Sequence, residues 1–144
     1  MNNKNQFGFL IILVLAAFTT LAFVLWPTIN TGNQQAKARK VAQNFYNWYL
    51  SYEGHPLMDF AYHASPYLSP EMMAFLDDFK RDEMVYDPLL CAQDRPGKIE
   101  VAQPQISANR AFVTVSTDFE GHAFTVELVR VDGNWLIEKV TCQP

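Results

Sequence analysis

The chain has 144 residues, of which 49% are hydrophobic and 14% aromatic, with a formal net charge of −4 and two cysteines. That length allows one domain with short appendages. The acidic balance gives no electrostatic footprint for nucleic acid. The three histidines and two cysteines match no metal-binding spacing, and there is no phosphate-binding or nucleophile motif. We therefore expect neither a metal nor a cofactor.

The amino-terminal part is an apolar segment behind a short tail. Residues 1–6 carry one charged side chain, Lys4, and residues 7–26 carry none. A helix of that length spans about 30 Å, the thickness of the bilayer core. We predict an uncleaved transmembrane anchor over residues 7–26. The alternative is a signal peptide, cleaved after Ala22 in a small-x-small sequence.

Two features bear on which side of the membrane carries the domain. Lys37, Arg39 and Lys40 follow the apolar segment, and the positive-inside rule would keep them in the cytoplasm. The even number of cysteines and the short tail favour export instead. We predict a single-pass protein of the bacterial inner membrane whose domain faces the periplasm. If the segment is cleaved, the domain is secreted to the periplasm.

A tether and an amphipathic helix come next. Residues 27–35 are polar and predict a short tether, and residues 36–144 then form the domain. Residues 36–52 place large apolar side chains at helical spacing, namely Val41, Phe45, Trp48 and Tyr52, with Tyr49 widening the stripe.

The sequence Ser69-Pro70-Glu71 predicts the start of a second helix. Serine is a favoured N-cap, proline suits the first helical position, and an acid faces the positive end of the helix dipole. We expect this helix to run to about Lys80 or Glu83.

The period of the apolar residues then changes from that of a helix to the two-residue alternation of strands. We predict strands over residues 98–102, 110–119, 123–131 and 135–142, with a hairpin turn at Asp132-Gly133. Helices followed by a meander of strands indicate an α+β domain, with the helices on one face of an antiparallel sheet.

The sequence DPLLCAQD, residues 87–94, lies between the helices and the strands. An aspartate before a proline favours a turn, because the carboxylate can accept hydrogen bonds from the backbone amides that follow. We therefore interpret Asp87, Pro88 and Asp94 as parts of a structural joint and not of an active site.

The two cysteines are Cys91, in this joint, and Cys142, near the end of the chain. An exported domain with an even number of cysteines favours a disulfide bond between them. The alternative is a pair of buried thiols in a cytosolic domain.

Several of these segments together resemble a known bacterial group. The sequences FYNWYL, YLSPEMMAFL, DPLLCAQD and VELVRVDGNWLIEKVTC are similar to those of domain of unknown function 3828, which looks like a branch of the nuclear transport factor 2-like, or cystatin-like, superfamily. The likeness covers residues 37–142. It implies a cone-shaped α+β fold, with helices packed on a curved antiparallel sheet, usually exported and often tethered to a membrane.

The absence of a catalytic motif predicts a non-catalytic binding or scaffold module that engages an envelope protein partner. Its plan resembles assembly subunits of type IV secretion systems, and an immunity protein against an envelope-directed toxin fits equally well. Tyr62, Tyr67 and Tyr86 are the candidate contact residues.

The alternative is a small-ligand-binding protein or an enzyme that uses the interior of the cone. Its candidate residues are Tyr49, Asp59 and His63. The last two are four residues apart and would share a helical face, so they could act as an Asp–His general base. This hypothesis requires an interior that large side chains do not fill.

Overall fold

A computed structural model describes residues 31–79 and 85–143. Within those ranges no helix is both long and apolar enough to cross a membrane. The predicted anchor over residues 7–26 lies outside the described residues, as do residues 27–30 of the predicted tether. Residues 31–35 of that tether are helical in the structure. Gln34–Pro144 group into one compact unit.

The predicted architecture, a membrane helix followed by a cone of helices on a curved sheet, is wrong for the part of the chain that the structure describes. That part contains two α-helices, neither of them membrane-spanning, beside one antiparallel sheet of five strands. The prediction of a cone came from a resemblance in short segments, which do not determine how helices sit on a sheet.

The first helix, α1, covers residues 31–51. Its fully buried side chains recur at helical spacing and include two alanines and three aromatic residues: Ala38, Ala42, Phe45, Tyr46 and Tyr49. Val41, Trp48 and Tyr52, which the sequence placed on the central stripe, are only partly buried. The buried stripe thus begins with the two alanines and continues through the three aromatic residues.

The end of α1 is fixed by a residue from a distant part of the chain. The Arg95 guanidinium donates to the carbonyl oxygens of Tyr52 and Gly54 at 3.0 and 2.8 Å. A cation at the carboxyl end of a helix also complements the helix dipole.

A 3-10 helix at Ala61–Ala64 leads to the second α-helix, α2, at Pro70–Asp78. The predicted cap is confirmed: the Ser69 hydroxyl accepts from the Met72 amide at 3.1 Å. The helix ends earlier than predicted, since Phe79 is extended. Its last turn holds Asp77 and Asp78 and no basic residue, a combination that the helix dipole disfavours.

The sheet consists of β1 (Ile99–Val101), β2 (Gln105–Ser107), β3 (Arg110–Thr117), β4 (Ala123–Val131) and β5 (Asn134–Cys142). Its order is β1-β3-β4-β5, with β2 pairing with β3, and every pairing is antiparallel. The hairpin between β4 and β5 turns at two residues of positive φ, Asp132 (49°) and Gly133 (85°). This confirms the turn predicted from the Asp-Gly pair.

One hydrophobic core joins both helices to a single face of the sheet. The Tyr46 ring of α1 packs edge-on against Phe124 of β4, with ring centroids 5.5 Å apart. The opposite face of the sheet is polar at its centre, where Arg110 bridges Glu127 and Glu138.

The joint, residues 87–94, is organised around the carboxylate of Asp87, a buried residue. One oxygen, Oδ1, accepts from the amides of Leu89 and Leu90 at 2.8 and 3.3 Å. The other, Oδ2, accepts from the Tyr49 hydroxyl at 2.6 Å. The Tyr46 hydroxyl donates to the Leu89 carbonyl oxygen at 3.0 Å. Two tyrosines of α1 therefore hold the joint through hydrogen bonds.

Cys91 and Cys142 form a disulfide bond, as predicted. It ties the joint to the end of β5. On the other side of the joint, the Cys91 carbonyl oxygen lies 3.0 Å from Nε2 of His122, so the start of β4 also contacts it. Pro88, Leu89 and Leu90 are buried, and the two leucines belong to the hydrophobic core.

Breaking the disulfide should lower the free energy of unfolding markedly. The two cysteines are 51 residues apart, and the chain-entropy model gives about 4 kcal/mol for a loop of that length. We expect Cys91→Ser to lower the urea midpoint by the amount that corresponds to this loss in the free energy of unfolding. Wild-type protein in reductant should match the variant, and the variant itself should not respond to reductant. Equal midpoints for oxidised and reduced wild type would contradict this.

The contact of Tyr49 with Asp87 should make stability depend on alkaline pH. Burial, and next the negative charge of Asp87, raise the pKa of Tyr49 far above its ordinary value; burial and the same charge also raise the pKa of Tyr46. The folded state thus keeps protons that the unfolded state loses above pH ~10. The stabilising contribution of the protonated tyrosines is fully present below that pH. Above it, the free energy of unfolding falls by about 1.4 kcal/mol per pH unit for each such tyrosine.

Tyr49→Phe should therefore make the loss of stability above pH ~10 shallower, as measured by urea unfolding, with the contribution of Tyr46 remaining. At neutral pH the same variant should be less stable by about 1–3 kcal/mol, because a buried carboxylate loses a donor. Tyr86→Phe is the control, since Tyr86 is 46% exposed, and it should behave as wild type. A Tyr49→Phe variant with the wild-type alkaline slope would show that Tyr49 does not contribute to the loss.

Candidate protein-docking surface

The turn between α1 and the 3-10 helix is held by Asp59. Its Oδ2 accepts from the His55 amide at 3.0 Å, and its own amide donates to the His55 carbonyl oxygen at 2.8 Å. Gly54, at a φ of 121°, makes room for this carboxylate, because a Cβ there would lie 2.5 Å from Asp59 Oδ2. The turn is therefore locked in one conformation by its own side chains.

The locked turn presents an aromatic side chain to solvent. Phe60 has a φ of 57°, in the left-handed region. That conformation is rare for a bulky residue and costs about 1–2 kcal/mol. The Phe60 side chain is 51% exposed, and Met58 in the same turn is 44% exposed. Two large apolar side chains of this turn are thus exposed to solvent, and one of them, Phe60, lies on strained backbone.

A stack of rings supports Phe60 from behind. Its ring lies nearly parallel to that of His63, with centroids 6.5 Å apart, and His63 in turn stacks on Tyr62 at 4.5 Å. Oδ1 of Asp77, on α2, accepts from the Tyr62 hydroxyl at 2.6 Å and lies 3.0 Å from Nε2 of His63. The stack is thereby fixed to α2.

We call Met58, Phe60, His63 and Asp77 the Phe60 surface. An exposed aromatic residue whose conformation is fixed in advance is the type of residue that carries most of the energy in protein interfaces. A polar rim around it, here the His63–Asp77 pair, is also typical of such interfaces. The arrangement is suited to contact with another protein.

The three tyrosines predicted as contact residues are not brought together on an exposed surface. Tyr62 is fully buried and serves as a support for Asp77. Tyr67 is partly buried and lines a cavity beside α1. Tyr86 alone is substantially exposed.

The residues of the alternative, catalytic hypothesis have separate partners. Tyr49 is fully buried on Asp87, and its raised pKa keeps it a proton donor. Asp59 binds the His55 backbone, and His63 pairs with Asp77 instead of Asp59. The predicted Asp59–His63 pair is thus replaced by two different contacts, and the three candidates do not converge on one site.

The remaining candidates have structural positions. Asp87 and Pro88 lie inside the joint, whereas Asp94, at its end, is exposed. Within residues 31–79 and 85–143, no group of three His, Cys, Asp or Glu side chains could hold a metal ion.

Comparison with known proteins gives a likeness of fold. No protein-family model and no curated protein matches the sequence, so the resemblance to domain of unknown function 3828 stays a prediction. Two solved structures match, the selenomethionine and native forms of the type VI effector-immunity complex Tae3–Tai3 from Ralstonia pickettii.

The likeness to this complex extends over most of both chains. The selenomethionine form aligns with a TM-score of 0.61 and 22% identity, over 74% of this chain and 97% of the matched chain. The native form aligns with a TM-score of 0.56 and 21% identity, over 73% of this chain and 94% of the matched chain. At that identity the comparison establishes a shared fold.

Replacing Phe60 by asparagine should leave the stability of the fold nearly unchanged. Asparagine tolerates a positive φ, so the variant regains about 1–2 kcal/mol of backbone strain. It loses about 1 kcal/mol from the buried half of the ring. We expect the free energy of unfolding of Phe60→Asn to stay within about 1 kcal/mol of wild type, as measured by urea unfolding. A loss above about 3 kcal/mol would mean that Phe60 is a core residue and not a surface one.

Proposed function

We propose that this protein is a non-catalytic immunity-type protein, which binds a toxic effector protein and blocks it. The observation that carries the proposal is the likeness of fold to a chain of a complex between an effector and an immunity protein. A protein partner is therefore the kind of ligand for which this fold has a precedent.

The side chains favour the immunity role over the effector role. Both cysteines are bonded to each other and Tyr49 is buried on Asp87, so none of the three is an accessible nucleophile. The exposed His63–Asp77 pair holds the ring stack next to Phe60. An immunity protein needs only a stable surface of the right shape, and the fold provides one.

The Phe60 surface is the contact region that we assign to this role. Strained backbone persists only where the surroundings determine it, and strained residues cluster at functional sites. Here the Asp59 turn and the Asp77-anchored stack hold Phe60 outward. A binding partner that buries Phe60 would offset the strain.

We place the protein in the periplasm. The disulfide supports an oxidising compartment, because such bonds are rare in the bacterial cytoplasm. The apolar run at residues 7–26, outside the described residues, would direct the export. An immunity protein in the periplasm would meet its effector in the compartment where an envelope-directed toxin acts.

Competition between sibling cells tests the proposal. A strain of the host bacterium that lacks this protein is grown on a surface with siblings whose type VI secretion apparatus is active. We expect the deleted strain to be outcompeted, and to recover when it expresses the wild-type protein. The Phe60→Asn variant should restore little or no protection, because it lacks the aromatic contact.

Two further strains make the result specific. Phe75→Gln is the matched control, since Phe75 is also 51% exposed but lies on α2 outside the Phe60 surface; it should protect fully. A protein lacking residues 2–30 should stay in the cytoplasm and fail to protect. If the deleted strain grows equally well beside siblings with and without the apparatus, the immunity role is wrong.

A further inference from the structure

The exposed side of α1 carries three cations in an otherwise acidic protein. Lys37, Arg39 and Lys40 are all exposed, whereas the chain as a whole has eleven basic and fifteen acidic residues. Within residues 31–79 and 85–143, none of the three forms an ion pair. Arg39 uses its Nε to donate to the Val101 carbonyl oxygen at 2.9 Å, which leaves its Nη groups for a ligand.

These cations line neighbouring concave surfaces. A cavity of about 350 Å³ on one side of α1 is lined by Lys37, Lys40 and Asn44, together with Tyr67 and Trp135. A second cavity, of about 430 Å³, shares Lys40 and Asn44 with the first and adds Arg39, Gln43 and Gln103. The two cavities meet at Lys40 and Asn44, and we call the concave surface that they form along α1 the basic groove.

The floor of the basic groove is rigid and aromatic. Trp135 is almost fully buried, and its Nε1 donates to Gln34 Oε1 at 3.1 Å. The Arg130 guanidinium lies 5.9 Å from the centre of the Trp135 ring and adds a fourth positive charge close to the floor. No acidic side chain lines either cavity.

We propose that the basic groove binds an extended, acidic segment of a partner protein, whose carboxylates contact Lys37, Lys40 and Arg39. Unpaired cations beside low-dielectric walls attract the opposite charge most strongly. The amide side chains of Asn44 and Gln43 can bond a peptide backbone. Lys37 and Lys40 are one helical turn apart, so they match carboxylates on alternate residues of an extended strand, about 7 Å apart.

A peptide fits this groove better than a membrane surface does. A bilayer is flat on this scale and would leave Tyr67, which lines the concave surface beside α1, without contact. The basic groove uses none of the residues of the Phe60 surface. Its test is therefore independent of the proposed immunity role.

The probe is a capped eight-residue peptide of alternating aspartate and alanine, added to the isotope-labelled full chain. We expect amide and side-chain NMR shifts centred on Lys37, Lys40, Asn44 and the Trp135 indole. The same peptide with asparagine in place of aspartate should cause none. Raising the ionic strength from about 0.05 M to about 0.5 M should weaken binding, because the contacts are exposed ion pairs.

Matched charge reversals locate the site. Lys40→Glu should weaken the peptide at least about tenfold, whereas Lys139→Glu, an equal change at an exposed position on β5, should alter affinity less than about twofold. Lys37→Gln with Lys40→Gln should reproduce the loss without introducing a negative charge, and thermal unfolding verifies that each variant is folded.

Three results would overturn the proposal. Equal losses for Lys40→Glu and Lys139→Glu would mean non-specific charge attraction. Shifts centred away from α1 would mean a different site. Glycerol 3-phosphate, a soluble lipid headgroup, perturbing the same residues as strongly as the peptide would assign the groove to a phosphate ligand instead.

Discussion

The buried hydrogen bond from Tyr49 to Asp87 is the contact on which the arrangement of helix, joint and sheet depends. A carboxylate can be buried only if its oxygens are satisfied. Here two backbone amides and one phenol satisfy it. The amides fix the shape of the joint and the phenol fixes its position on α1. The disulfide then secures the same joint to the end of β5.

The stability that the disulfide adds at the joint is larger than the cost of the strained backbone elsewhere in the domain. A disulfide that closes a loop of this length contributes about 4 kcal/mol, a large share of the 5–15 kcal/mol typical of a domain. The strain at Phe60 costs about 1–2 kcal/mol. A domain secured at its joint can tolerate that cost, and in return holds an aromatic side chain outward in a single conformation. The joint therefore bears on the proposed binding role by keeping the domain rigid enough to hold Phe60 in place.

Those parts of the fold that depend on local chemistry could be predicted from the sequence. The cap at Ser69, the turn at Asp132-Gly133 and the alternation of β3 each follow from residues that are neighbours in the chain. The disulfide followed from simple counting. What could not be predicted depends on distant contacts. The sheet decides which face of α1 is buried, and the hydrogen-bond partner of the Asp87 carboxylate is a tyrosine 38 residues earlier in the chain.

The candidate site was missed for the same reason. The segment around Phe60 has no apolar period, and nothing in its sequence announces a positive φ at a phenylalanine. Spacing in the sequence pairs His63 with Asp59, whereas its partner in the structure, Asp77, comes from another helix. The sequence predicts Tyr62 as a contact residue, because its burial under Asp77 arises only when the 3-10 helix packs on α2.

The proposal that Phe60 contacts an effector protein in living cells is open to a direct test. A photo-crosslinking amino acid in place of Phe60, compared with the same group in place of Phe75, tests it most directly. We expect illumination to yield a crosslinked product from position 60 only, and only when neighbouring siblings have an active type VI secretion apparatus. Mass spectrometry should identify the attached chain as an effector. A product that forms equally from both positions, or equally beside siblings without the apparatus, would contradict the claim.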